Sequence, residues 1–151
     1  MKNRVYATVA LTILLAIGTA ARGQCRLEKM ELATASLPIY VDLARKALIQ
    51  GDVVLTFDVN GDGLASPTNI RVVSGNRLLG EGTKAELSTW KLFIPGQRLH
   101  ERNCRTTFRY SLSEKRVSGA PDLDIRFHGL SIVEIHTDPP KIVDDQPSVL
   151  K

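Results

Sequence analysis

Between residues 51 and 63, apolar and polar side chains alternate. Val53, Leu55, Phe57 and Val59 fall on one side of an extended segment, with Val54, Thr56 and Asp58 on the other. A period of two in β-branched and aromatic residues predicts a strand with one buried face. The following Asn60-Gly61-Asp62-Gly63 supplies the left-handed backbone angles of a tight reversal. A second extended run, Ile70-Arg71-Val72-Val73, then completes a β-hairpin whose return strand covers Thr68 to Ser74.

Helical spacing occurs on both sides of this hairpin. Leu43, Ala44, Ala47 and Leu48 follow Leu37-Pro38-Ile39-Tyr40 and predict a short helix. Pro38 fits its first turn, Arg45 and Lys46 suit the C-terminal end of its dipole, and Gly51 is placed to end it. A second helix is expected from Leu78-Leu79 to Trp90, held by packing of Leu79, Leu87 and Trp90. Gly80 and Gly82 each weaken it by up to about 1 kcal/mol relative to alanine. Phe93-Ile94-Pro95-Gly96 closes this helix, and Gln97 to Arg105 reads as a polar connection. Phe108, Tyr110 and Leu112 then alternate with polar residues in a strand from Thr106 to Leu112. After a charged linker, Ser113 to Asp122, a last β pair runs Leu123 to Phe127 and Leu130 to His136, joined through His128-Gly129. The expected fold is α+β, a mainly antiparallel sheet of three to five strands with two helices packed on one face.

The N-terminus carries a different pattern. Lys2 and Arg4 precede an apolar run from Val5 to Ile17, and small residues Gly18 to Ala21 follow. That order is the plan of a secretory signal, with cleavage after Ala20 or after Gly23. The run is shorter than the roughly 20 residues of a membrane span; an uncleaved inner-membrane anchor is the alternative. Ala21-Arg22-Gly23-Gln24, ahead of Cys25, does not resemble a lipobox. The resulting division is a signal peptide over 1–23, a leader over 24–36, a domain over 37–113, a C-terminal β extension over 114–140 and a flexible tail over 141–151.

Export changes what charge and cysteine mean. The chain has 20 Lys and Arg against 16 Asp and Glu. Lys2, Arg4 and Arg22 belong to the signal region, which leaves 17 against 16. A nucleic-acid surface needs a basic face on the mature domain, and none is indicated. In an oxidising compartment Cys25 and Cys104 are expected to form a disulfide. Closing so long a loop stabilises the fold by about 4 kcal/mol through the unfolded state. A redox-active thiol would more often sit in Cys-x-x-Cys.

Few residues suggest chemistry. Asp58-x-Asn60-x-Asp62-Gly63 matches the first half of an EF-hand loop. Its twelfth position, however, is Asn69 where a bidentate glutamate belongs, and a hairpin turn explains the same residues. His100, His128 and His136 have no ligand-like spacing, and no Ser/His/Asp order or close carboxylate pair stands out. No enzymatic activity, catalytic residue, metal or cofactor is expected. Trp90 is read as core.

Residues 40–112 resemble the C-terminal domain of the TonB family. The pattern comprises Tyr40, Ala44-Arg45, Gly51, the strand Val53 to Val59 and the turn Asn60 to Gly63. It continues with Ile70 to Val73, Ser74-Gly75, Leu78-Leu79, Trp90-Lys91-Leu92-Phe93-Ile94-Pro95 and Phe108 to Leu112. Departures are Val41 in place of a proline, Gly80-Glu81-Gly82-Thr83 in place of an acidic, alanine-rich helix start, and Phe93 one residue late. The resemblance implies a periplasmic or otherwise exported, non-enzymatic interaction module. Its partner would be an envelope protein, in the family a short segment of an outer-membrane transporter, bound by strand addition. It makes the strand carrying Thr106, Phe108, Tyr110 and Leu112 the binding edge; occupation of that place by Leu123 to His136 instead would remove the binding role. The alternatives are an accessory envelope protein with a capped sheet, or a membrane-anchored energy transducer if residues 5–21 are retained. An unpaired edge also invites a homodimer.

Overall fold

The computed structural model describes residues 25–141. The signal peptide and most of the tail expected from the sequence lie outside the described residues. The predicted hairpin is the centre of the fold. Strand β2 (Gly51–Asp62) buries Val53, Leu55, Phe57 and Val59 on one face and is followed by β3 (Pro67–Ser74). Because β2 runs on through Asp62, the Asn60-Gly61-Asp62 segment is strand and not the expected reversal. The reversal comes at Gly63, whose φ is +97°.

The first helix is shorter than its apolar spacing suggests. α1 covers Asp42–Lys46, leaving Pro38 outside it, and only Ala44 of its apolar side chains is fully buried. It ends before Gly51 can act. The Leu48 amide donates to the Arg45 carbonyl at 3.1 Å and the Ile49 amide to the Ala44 carbonyl at 2.8 Å. This is a Schellman closure with Leu48, at φ +54°, in the left-handed position that glycine normally fills. Leu48→Gly is therefore expected to raise the unfolding free energy by about 0.5 kcal/mol, relief of backbone strain exceeding the added chain entropy. A urea midpoint below that of the wild type would contradict this.

α2 (Arg77–Thr89) begins where the Asn76 side chain accepts from the Leu78 amide at 2.9 Å, a capping contact. Leu79, Leu87 and the adjoining Trp90 are fully buried, as their spacing predicted. The two glycines turn out to serve packing. A Cβ on Gly80 would stand 3.2 Å from Val72 Cγ1, and one on Gly82 would stand 2.7 Å from Val41 Cγ2. The lost helix propensity allows α2 to lie directly on β3 and on the chain entering α1.

A small antiparallel pair, β1 (Glu31–Thr34) with β4 (Lys91–Phe93), joins the leader to the exit of α2. The leader also carries a 3-10 turn, Leu27–Lys29, with Leu27 and Met30 buried. β5 (Arg98–Leu112) is twice the expected length, because the supposed polar connection is strand. Leu99 and Glu101 face inward, then Cys104, Thr106, Phe108 and Tyr110 do so. The step of three between Glu101 and Cys104 is a bulge at Asn103, φ +53°, which hides the alternation from a reading of period two.

β6 (Leu123–His128) and β7 (Ile132–Thr137) form the predicted terminal hairpin around Gly129, φ +61°. The main sheet has the order β3-β2-β5-β7-β6. Every pairing is antiparallel except β5 with β7, which run parallel. Both helices and the leader lie over the apolar face; among the described residues no helix or strand covers the other face.

One expectation is corrected here. Thr106, Phe108, Tyr110 and Leu112 do not form a sheet edge, because β5 pairs with β2 on one side and β7 on the other. The linker 113–122 carries the chain past that position to β6, and β7 returns into the gap. Burial favours the insertion: Val133 and Ile135, opposite Phe108 and Tyr110, are completely enclosed.

Candidate functional site

The fold leaves two outer strands on the main sheet, and they are built differently. β3 is interrupted. Its register against β2 slips between Ser74 and Val72 and again between Arg71 and Thr68, with Asn69 at φ +52°. Each slip puts an extra residue on the outer strand, and Pro67 opens it without an amide hydrogen. Bulges and proline twist an edge away from further pairing.

β6 has none of these devices. Its six residues pair one for one with β7, from Leu123 opposite Thr137 to His128 opposite Ile132. Leu123, Ile125 and Phe127 lie on the helix-bearing face, where Ile125 packs against the core. Leu123 and Phe127 remain 45% and 41% exposed, although the Phe127 ring lies 6.1 Å from that of Trp90. Asp124 and Arg126 project from the open face, with Arg126 Nη2 2.7 Å from Asp124 Oδ2. Among the described residues the result is a regular edge with an apolar strip on one face and charged side chains on the other, and such an outer strand is a template for another strand.

The open face beside it is laced with charge. Arg109 Nε is 3.1 Å from Asp52 Oδ1 and its Nη1 3.4 Å from Glu134 Oε1, linking β2, β5 and β7. His128 Nε2 lies 3.0 Å from Glu134 Oε2. That hydrogen bond, with help from Arg109, holds the Glu134 carboxyl below its ordinary range. Ser111 Oγ is 2.9 Å from His136 Nδ1, and Asp124 is the register partner of His136. This serine, histidine and aspartate share a shallow depression with Arg109, Arg126 and Glu134. Here Asp124 pairs with Arg126, while His136 meets Ser111 through Nδ1.

The residues resembling a calcium loop are also placed. Asp58 accepts from the Asn69 side chain at 2.9 Å and from the Asn103 amide at 2.9 Å, which lowers its pKa. Asn60 Oδ1 lies 3.0 Å from His100 Nδ1, and Asp62 Oδ1 lies 2.8 Å from Arg98 Nε. Held along a strand, these oxygens point to successive cross-strand partners and do not converge on one point.

Cys25 and Cys104 are joined, with Cα atoms 5.0 Å apart. Beside the bridge, Arg26 Nε donates to Glu101 Oε1 at 2.8 Å and its amide to Oε2 at 2.9 Å. Glu101 is buried, so its carboxylate depends on these contacts. On the core side, burial pushes the Tyr110 hydroxyl up to about 12, and it lies 2.9 Å from Thr83 Oγ1. A further apolar groove of about 730 Å³, between Leu64, Phe93, Ile94 and Pro95, sits at the far end of the sheet near β1. The sequence marked Leu123 to Phe127 as a strand through its alternation. It left open whether β5 or the segment Leu123 to His136 would be outermost, and the pairing of β7 with β5 decides for the latter.

The fold and edge define an α+β protein with five strands in its main sheet and a second, two-stranded sheet. No protein-family model matches the chain, and no curated protein matches it. Among solved structures, the chain is similar to the solution NMR structure of the TonB C-terminal domain (CTD) from Pseudomonas aeruginosa. The identity is 20% and the TM-score 0.49, covering 59% of this chain and 91% of that one. That likeness is one of fold and carries no functional argument. Among the described residues, no helix is long and apolar enough to cross a membrane.

Proposed function

We propose that this chain is an exported, non-enzymatic interaction module that binds an extended segment of an envelope protein by adding it as a strand to β6. The observation that carries the reading is the contrast between the two outer strands: β3 is bulged twice, whereas β6 pairs without a slip and leaves Leu123 and Phe127 half exposed. Backbone bonds along β6 would supply affinity, and the apolar strip beside Trp90 would select side chains. The second reading, an accessory envelope protein with a capped sheet, draws on the occupation of the β5 edge by β7.

A photo-reactive residue placed at Asp124 in the exporting cell tests the reading, with Val73 on β3 as the comparison. Adducts with an envelope protein are expected from the β6 position, to be lost on Leu123→Lys. Adducts from both positions alike, or from neither, would favour the accessory role. Export is tested separately by N-terminal sequencing: a start near Gln24 is expected, and an intact Met1 in the membrane fraction would indicate a retained anchor.

A further inference from the structure

We infer that the β6 edge is self-complementary and that a second copy of this chain occupies it when no other strand does. The inference rests on the reading that β6 accepts a strand, and it names the competitor for that strand. It follows from the order of side chains along Leu123-Asp124-Ile125-Arg126-Phe127-His128.

Two identical outer strands pair antiparallel about a two-fold axis perpendicular to the sheet. This keeps the helix-bearing faces of both copies on the same side. Residues directly opposite one another must then belong to the same face. Centring the axis on Ile125 puts Ile125 opposite itself, Leu123 opposite Phe127 of the second copy, and Asp124 opposite Arg126 of the second copy. Each of the last two pairs occurs twice. Every apolar residue meets an apolar one and every charge meets its opposite, the combinations that stabilise cross-strand neighbours.

Neighbouring registers are worse. Centring on Arg126 opposes two guanidinium groups, and centring on Asp124 opposes two carboxylates. Centring on Phe127 sets Arg126 against His128. An axis between residues would place Ile125 opposite Arg126 and turn one sheet over. The strand therefore specifies one register through its own charges, as edges that pair selectively must.

In the favoured arrangement the two main sheets join into one, and the exposed flanks of Leu123 and Phe127 cover each other beside Trp90. Asp124 and Arg126, which pair within one strand in the single copy, gain a second partner across the axis. A contact of six residues per copy is small, so the dimer is reversible and concentration-dependent. Dimerisation and partner binding exclude one another on this edge.

Charge reversal tests the register. Sedimentation velocity of the purified protein across a concentration series is expected to show a monomer–dimer equilibrium for the wild type. Asp124→Arg faces two arginines with two arginines, and Arg126→Asp does the same with aspartates. Each variant alone should weaken the dimer about tenfold, two like-charge pairs acting together. Mixing the two variants should restore association as a heterodimer, and the double variant Asp124→Arg/Arg126→Asp should dimerise like the wild type. Circular dichroism melts of each variant confirm that the fold is retained.

A wild type that stays monomeric throughout, or a dimer indifferent to these reversals, would overturn the inference. The cross-linking experiment from Asp124 reports on the other reading separately. Envelope adducts without any dimer would leave strand addition standing and remove self-pairing. A charge-dependent dimer without envelope adducts would do the reverse.

Discussion

Replacing both cysteines with alanine (Cys25→Ala with Cys104→Ala) is expected to lower the unfolding free energy by about 4 kcal/mol, the chain entropy released when a loop of this length is opened. The bridge spans a sequence separation of 79 residues and ties the leader to the middle of β5. Opening it has a second consequence. Leu27 and Met30 are buried by the leader's position, and Arg26 reaches Glu101 from the same segment. Once the bridge is gone, these contacts are tethered from one side only, through β1, and ordering them costs more chain entropy. Equilibrium urea unfolding with and without reductant measures the effect. An unchanged midpoint under reducing conditions would show that the leader is held by packing alone.

The second large effect is expected at the centre of the sheet. Phe108 is fully buried on β5, opposite Val53 of β2 and Val133 of β7, with its ring 5.7 Å from that of Trp90. Phe108→Ala removes a side chain that touches both halves of the sheet and the residue ending α2. The cost is expected to be about 3–5 kcal/mol, the transfer term plus the cavity that neighbours cannot fill. Trp90 is the chain's single tryptophan, so its emission reports the change directly. Leu37→Ala, at a residue 68% exposed, should leave both midpoint and emission almost unaltered. Equal effects from the two substitutions would contradict the assignment of the core.

The elements differ in how plainly the sequence announced them. β2 was legible because its alternation is unbroken and its inward residues are all large and apolar. α2 is legible through Leu79, Leu87 and Trp90, whereas the purpose of its glycines, which make room for Val72 and Val41, lies in contacts distant in sequence. The first half of β5 was not legible. A bulge at Asn103 changes the phase, and the inward-facing Glu101 is tolerable only because Arg26, distant in sequence, neutralises it. α1 was overestimated, since Leu43 and Leu48 have helical spacing but are largely exposed.

The candidate site followed the same division. Leu123 to His128 could be read as a strand, and its charges and apolar residues could be listed in order. Thr106 to Leu112 looked equally suited to an edge. Both segments alternate, and alternation says which side chains share a face without saying which strand lies beside it.

By itself, the sequence determined the local periods: an extended central hairpin, a packed second helix, a terminal β pair, and two cysteines able to close a long loop. These depend on neighbours within a few residues and on the burial they permit. Tertiary structure alone decided strand order, the parallel insertion of β7, the burial of Glu101 and the choice of β6 as the open edge. Those outcomes arise from pairing between segments far apart in the chain, where the hidden area of Val133 and Ile135 favours one arrangement over another.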